Sequence, residues 1–299
     1  MLQECINGLA INPNGIYVDL TFGGGGHSKE ILKHLTNGKL YGFDQDDDAM
    51  IQADLIDSPQ FEFVNANFRY LKKYLRLYGI TKVDGILADL GISSHQIDVP
   101  ERGFSTRFDA TLDMRMDQNG DLTAEDIINE FSEKDLVDLF SRYGEVKNSK
   151  TLASAIVSER VKGPIKTVEE LKAVLIKYAK PGRQFKYFAQ VFQALRIVVN
   201  DEMGALDEMI EQATEVLKPD GRFVVMSYHS LEDRPVKNYF AKGKFRGDVE
   251  KDFYGNMIRP LEPITRKPVL ASEEEIKLNN RARSAKLRIA KKLEVTNNG

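Results

Sequence analysis

Three aspartates, Asp19, Asp44 and Asp89, stand where a carboxylate can hold a ligand rather than solvate a surface. Each lies at or just past the end of a short apolar run: Ile16–Leu20, Lys39–Phe43 and Val83–Leu87. Asp19 is followed by Thr21-Phe22-Gly23-Gly24-Gly25-Gly26. Such a run must turn, and its bare backbone lets N–H groups at a helix start approach a bound molecule. Four glycines also cost backbone entropy that a mere connecting turn does not require. Asp44 comes 21 residues after Gly23, a separation at which a carboxylate can accept both hydroxyls of a ribose. A nucleoside-bearing cofactor is the natural inference. Asp19 narrows it, because a negative charge ahead of the loop repels a pyrophosphate. It suits a cationic, phosphate-free ligand such as S-adenosylmethionine, with its ammonium and sulfonium groups. The glycines satisfy the dinucleotide pattern G-x-G-x-x-G only loosely, which leaves a nicotinamide-dependent oxidoreductase as the weaker alternative. Asp46-Asp47-Asp48 reads as a solvated helix start rather than a metal site, since no His or Cys lies nearby. No metal is expected.

The elements that carry these residues alternate. Strands are expected at Ile16–Leu20, Lys39–Phe43, Phe61–Val64 and Val83–Leu87, with helices from about Ser28 to Leu35, Asp46 to Leu55 and Phe68 to Tyr78. Alternation of this kind implies parallel strands with crossover helices on both faces, and ligands bind such a sheet beyond the carboxyl ends of its strands. From about Phe108 to Val199 the strand pattern stops. Thr123-x-x-Asp126, Ser132-x-x-Asp135 and Thr167-x-x-Glu170 are helix-start spacings ahead of apolar residues three and four apart. Alternation then resumes: a helix over Glu202–Leu217 closed by Pro219-Asp220-Gly221, a strand over Arg222–Met226, and a helix over Leu231–Phe240 with Pro235 near its first turn. Two further strands are expected near Pro268–Leu270 and Ala285–Ala290, and residues 241–257 read as a loop. The economical arrangement is one α/β sheet domain, residues 1–107 and 201–299, interrupted by an all-helical insertion over 108–200.

Composition sets the outer limits. Of 299 residues, 42% are hydrophobic and 29% charged, so disorder of the whole chain is excluded. No apolar run approaches the roughly 18 residues that span a bilayer, and no secretory signal is visible at the start. The single cysteine, Cys5, cannot form an internal disulfide, which fits the cytoplasm. A net charge of −3 disfavours a globally basic nucleic-acid binder. One local exception is Arg281–Lys292, with six basic residues and no acid, where a polyanion could be met. Oligomeric state is left open.

Longer blocks bring a resemblance. They are Tyr17-Val18-Asp19-Leu20-Thr21-Phe22 with the glycines and His27-Ser28; Asp89-Leu90-Gly91-Ile92-Ser93-Ser94-His95-Gln96-Ile97-Asp98; Glu101-Arg102-Gly103-Phe104-Ser105; Leu112-Asp113-Met114-Arg115-Met116-Asp117; Phe192-Gln193-Ala194-Leu195-Arg196-Ile197; Ser227-Tyr228-His229-Ser230-Leu231-Glu232-Asp233-Arg234; and Asn280-Arg281-Ala282-Arg283-Ser284-Ala285. Together they resemble the ribosomal RNA small-subunit methyltransferase H family, also called MraW, from about Glu4 to Lys292. The resemblance implies a Rossmann-like S-adenosylmethionine-dependent methyltransferase sheet with a helical insertion. It implies methylation of the exocyclic N4 of a cytidine in the decoding centre of 16S ribosomal RNA, with the small ribosomal subunit as partner. Matched position by position, it puts the cofactor on Gly25, Gly26, His27, Asp44, Phe68, Asp89 and Gln96. His27 and Gln96 come from the resemblance alone; Phe68 can stack on adenine or simply pack in the core.

For amine transfer, acceptors near the amine matter, and the Asp89–Ser94 loop supplies Asp89 and Ser93. His229 can take the released proton or serve as a hydrogen-bonded structural histidine. Arg183, Lys186 and Arg196 in the insertion, and Arg281 and Arg283 in the tail, are candidates for RNA phosphate, each with a solvated surface role as the default.

Overall fold

A computed structural model of the chain describes residues 1–294. Its strands are β1 (Ile16–Asp19), β2 (Lys39–Asp44), β3 (Phe61–Asn65), β4 (Val83–Asp89), β5 (Leu217–Ser227), β6 (Leu261–Pro263), β7 (Val269–Leu270) and β8 (Lys286–Lys292). They form one sheet in the order β3-β2-β1-β4-β5-β8-β6, with β7 also paired to β8. Strands β1 to β5 are mutually parallel where they pair, and β8 runs antiparallel to β5, β6 and β7. The winding direction reverses between β1 and β4. That reversal is the point at which ligands enter sheets of this kind.

Period-two alternation along the strands sends side chains into two cores. Val18, Ile86, Ala88, Phe223 and Val225 join the cluster that includes Leu71 and Leu75 of α4 (Leu71–Leu77), Leu206, Met209 and Ile210 of α11 (Glu202–Val216), and Val236 and Phe240 of α12 (Ser230–Lys242). Their neighbours Tyr17, Leu87, Val224 and Leu287 face the opposite way, toward Cys5, Ile6 and Leu9 of α1 (Leu2–Leu9) and Ile31 of α2 (Gly26–Lys33). A further small helix is α3 (Asp47–Ala53), whose Ala49 and Ala53 pack with Phe22, and α13 (Glu273–Leu278) precedes β8.

The chain separates into two compact units, residues 1–91 with 203–299, and residues 92–202. The second is helical: α5 (Ser94–Asp98), α6 (Ala124–Glu130), α7 (Glu133–Gly144), α8 (Ser149–Arg160), α9 (Val168–Leu175) and α10 (Gln184–Val199). Thr123, Ser132 and Thr167 cap α6, α7 and α9 through the N–H groups of Asp126, Asp135 and Glu170, as their spacing required. Its core gathers Leu112, Ile127, Phe140, Leu152, Leu171 and Leu195. The unit begins at residue 92 rather than 108 because Phe104 belongs to this same core and Met114 N–H donates to Arg102 O at 3.1 Å. Among the described residues, its extended pairing is an isolated bridge between Thr111 and Thr167.

Other features also depart from what the sequence predicts. Helix α1 is unanticipated: it has no side-chain cap at its start, and its Cys5, Ile6 and Leu9 are held by burial against the sheet. Strand β5 begins at Leu217, so Pro219-Asp220-Gly221 forms an irregularity within a strand instead of a helix terminator; the register against β4 shifts there and Asp220 has φ 62°. Strand β6 lies beyond the loop expected over 241–257, where the sequence predicts no element, and β8 supplies its pairing. The basic run ending at Lys292 is mostly structural: Arg288 forks onto Asp233 at 2.7 and 3.1 Å, both side chains being buried. Lys291 pairs with Asp220 at 3.2 Å, and Lys292 is buried, which lowers its pKa. A polyanion therefore does not meet that run as one surface.

No helix among the described residues is long and apolar enough to cross a membrane. Because Arg288 pins α12 through Asp233, Arg288→Ala is expected to destabilise the chain by about 2 kcal/mol, the consequence of leaving a buried carboxylate short of its fork. Denaturant midpoints check this, and Arg288→Lys should recover only part of the loss.

Candidate active site

The glycine loop leaves β1 and enters α2 with Gly25 as its N-cap, at φ 74°. A Cβ there would stand 2.8 Å from the Phe22 ring, so only glycine fits. At Gly24 and Gly26 a Cβ would meet nothing within 4 Å. The loop is thus closed on its Phe22 side and open where a ligand's backbone contacts would be made.

The three carboxylates lie on neighbouring strand ends, and each does a different job. Asp19 is fully buried. It accepts Ser28 Oγ at 2.7 Å and the Thr21 N–H at 3.2 Å, so it shapes the loop from beneath. Burial pushes its pKa up, opposed by the nearby His27 and these hydrogen bonds. The charge predicted to meet a cation directly is therefore sheltered under the turn. Asp44 accepts the Gly23 N–H on Oδ2 at 2.8 Å and the Asp46 N–H on Oδ1 at 2.9 Å. Each oxygen keeps a second lone pair for an outside donor. Burial raises its pKa to about 6 against those two N–H groups. Asp89 is half-buried. Its N–H donates to Thr21 Oγ1 at 2.6 Å, its Oδ1 accepts the Tyr228 hydroxyl at 2.9 Å, and His27 Nδ1 stands 3.8 Å from Oδ2. Burial again dominates, raising its pKa to about 6, while His27 and Tyr228 pull the other way.

Of the remaining sequence-derived residues, Phe68 starts a 3₁₀ turn (Phe68–Tyr70) after β3 and packs partly against the sheet core. The turn is tied to the end of β2, since Ala66 N–H donates to Asp44 O at 2.8 Å and Asn67 Nδ2 to Gln45 Oε1 at 2.7 Å. His229 caps α12, with Nε2 3.0 Å from Glu232 Oε1. Glu232 in turn accepts the Tyr228 N–H at 2.9 Å. The sheet unit thus assembles Gly25, Gly26, His27, Asp44, Phe68, Asp89 and His229.

Ser93 and Gln96 belong to the helical unit. There they cap α5 reciprocally: Gln96 N–H donates to Ser93 Oγ at 3.1 Å and Ser93 N–H to Gln96 Oε1 at 3.0 Å. Arg183 and Lys186 are exposed at the start of α10, and Arg281 and Arg283 are exposed on a 3₁₀ turn before β8. Arg196 differs. It forks onto Glu202 at 2.7 and 2.9 Å with little exposure, so its guanidinium is committed to a carboxylate and is a poor candidate for phosphate. Asp46 caps α3 through the Asp48 N–H, as a helix start should. Cys5 is buried and its thiol is pushed up to about 12, which makes it inert as a nucleophile.

Sequence reasoning missed Thr21, Ser28 and Tyr228. The first two were within reach, as hydroxyls two and nine residues after a strand-end acid. Tyr228 was not, because its partner lies 139 residues away.

A model of the MraW methylase family matches residues 1–293 of this chain. The chain belongs to that family. The ribosomal RNA small subunit methyltransferase H of Cytophaga hutchinsonii is 59% identical over 292 residues, 98% of either chain. That of Flavobacterium johnsoniae is 58% identical over 294 residues, 98% of this chain and 96% of the other. Among solved structures, an rRNA methylase from Streptococcus thermophilus aligns at TM-score 0.41 and 14% identity, covering 96% of this chain and 93% of that one.

The Tyr228–Asp89 hydrogen bond favours the charged carboxylate. Tyr228→Phe is therefore expected to raise the Asp89 midpoint above about 6, read by carboxylate NMR titration. An unmoved midpoint would remove Tyr228 from the site's electrostatics.

Proposed function

We propose that this chain is an S-adenosylmethionine-dependent methyltransferase acting on 16S ribosomal RNA. We infer that its target is the exocyclic N4 of a cytidine in the decoding centre, presented within the small ribosomal subunit in the cytoplasm. The observation that carries the reading is the set of strand-end carboxylates Asp44 and Asp89 beside the open glycine loop. Membership of a methylase family, and relatives above 50% identity that are ribosomal RNA small subunit methyltransferases, support the RNA substrate.

The residues fit a sulfonium nucleoside better than a dinucleotide. Open space beside Gly24 and Gly26 admits a ligand. Asp44 retains lone pairs for two ribose hydroxyls, and Phe68 offers a ring for a purine. The acidic strand ends repel a pyrophosphate and attract a cation. When bound, the cofactor supplies an electrophilic methyl group.

The chain's residues have to solve a nucleophile problem, because the cytosine N4 lone pair is delocalised into the ring. An acceptor must hold the amine rotated, with its lone pair in line with the methyl. Positioning of that kind removes several kcal/mol, up to about 7–11 in ideal cases. Asp89 is our choice, since its carboxylate is already oriented by Tyr228. His229 is assigned the released proton, with Glu232 to stabilise the imidazolium. Covalent attack on a ring carbon finds no support in Cys5, a buried thiol. The base must leave its stack to reach such a site. The helical unit, with exposed Arg183 and Lys186, and the turn bearing Arg281 and Arg283 are the proposed RNA-facing surfaces.

Asp44→Ala is expected to weaken S-adenosylmethionine binding more than tenfold by calorimetry; unchanged affinity would remove the ribose assignment. In the intact protein, affinity should fall as pH drops through about 6, because Asp44 and Asp89 then protonate and cease to accept or attract. A flat profile between pH 5 and 8 would contradict both assignments. With labelled methyl donor and small-subunit particles, label is expected as N4-methylcytidine. Label on a ring carbon would overturn the substrate assignment.

A further inference from the structure

The segment between α12 and β6 has no part in the machinery above, yet it is firmly built. Residues 250–258 form a tight hairpin. Ile258 N–H donates to Glu250 O at 2.8 Å, Asp252 N–H to Asn256 O at 2.9 Å and Gly255 N–H to Asp252 O at 3.0 Å. Lys251 and Met257 make an antiparallel bridge. The Asp252 carboxylate ties the turn from inside. It accepts the N–H groups of Tyr254 and Asn256, both at 2.8 Å, and Asn256 Nδ2 at 2.9 Å. Gly255, at φ 85°, completes the reversal.

The turn holds two adjacent aromatic rings clear of the protein. Phe253 is 98% exposed and Tyr254 85%. Their centroids lie 5.7 Å apart with the planes at 88°, so the rings offer faces in two directions. Large apolar groups left in water on an ordered turn mark a contact surface. Charge indicates what is contacted. The chain carries −3 overall, yet residues 242–259 hold five basic groups (Lys242, Lys244, Arg246, Lys251, Arg259) against three acids. Two of those acids are engaged locally, Asp252 within the turn and Glu250 with Lys244 at 3.0 Å, and Arg259 stands 3.6 Å from Glu262, so the local excess rests on Lys242, Arg246 and Lys251 against Asp248. A second copy of the chain would bring like charges together. A strand of nucleic acid would satisfy the cations with phosphate and the rings with bases.

We propose that the hairpin 250–258 is a stacking platform for unpaired bases of RNA, with the neighbouring cations meeting the backbone. Every base has a π-face, so the contact is tolerant of sequence and selective for single strands. The inference rests on RNA as the substrate class but not on any assignment within the cofactor site.

The chain contains no tryptophan, so Phe253→Trp installs a single indole at the tip. Its emission is expected to be quenched by a short single-stranded oligocytidylate, with a midpoint that weakens as salt rises, and far less by a duplex of equal length. No quenching while an end-labelled oligonucleotide still binds would overturn the platform. So would quenching that tracks protein concentration without RNA, the signature of self-association. In a second arm, Phe253→Ala with Tyr254→Ala should raise KM for small-subunit particles roughly five- to fifty-fold, from one or two lost stacks. The turnover rate and cofactor affinity should be unchanged, and the swap Phe253→Tyr with Tyr254→Phe should retain the parental KM. An unchanged KM in the alanine pair would sink the proposal. If the indole reports stacking but no methyl group is transferred, the methyltransferase reading fails and the platform stands.

Discussion

Like charges with little water around them govern this molecule. Three parallel strands end side by side in Asp19, Asp44 and Asp89, and Asp19 raises the pKa of each of the other two on top of the larger effect of burial. The protein compensates with donors aimed from several elements: the Ser28 hydroxyl, the N–H groups of Thr21, Gly23 and Asp46, and the Tyr228 hydroxyl. Compensation is incomplete, as the two values near 6 show. A site in that condition favours any ligand that brings positive charge and hydroxyl donors, and disfavours one that brings phosphate. The chemistry proposed for the chain follows from this imbalance more than from any single residue.

The remainder of the sheet unit can be understood as the frame for that imbalance. Strand β5 must be held so that its end delivers Tyr228 to Asp89. On its far side β8 pairs with it over six residue positions from Arg222 to Ser227. From β8, Arg288 reaches Asp233 in the first turns of α12, and so locks the helix that follows Tyr228. A residue in a run that reads as a polyanion site therefore works as an internal strut. The cations proposed to meet RNA stand on turns and a helix start, with Arg281 and Arg283 at the head of that same run among them, where the side chains are exposed.

Much of the architecture is legible locally. A strand needs only a short apolar run, a helix start only a hydroxyl three residues before an acid, and the turn after β1 only its glycines. These are short-range effects: Thr123, Ser132 and Thr167 cap where their spacing requires, and Asp46 caps the helix its acidic start announces. The site's glycines and strand-end acids are legible for the same reason. Less legible are short elements whose stability comes from what they cover, such as α1 over the sheet and β6 at its edge.

By itself, then, the sequence determined the alternating sheet, the helical interruption and the three acids at strand ends, because each depends on neighbours within a turn or a strand. Tertiary structure alone decided that Asp19 would be sealed beneath the loop, that Arg196 would fork onto Glu202, and that Arg288 would become a buried strut. It also decided that Tyr228 would orient Asp89 across 139 residues of chain. Those outcomes depend on which side chains lose their water together, and burial is a property of the packed molecule rather than of any segment.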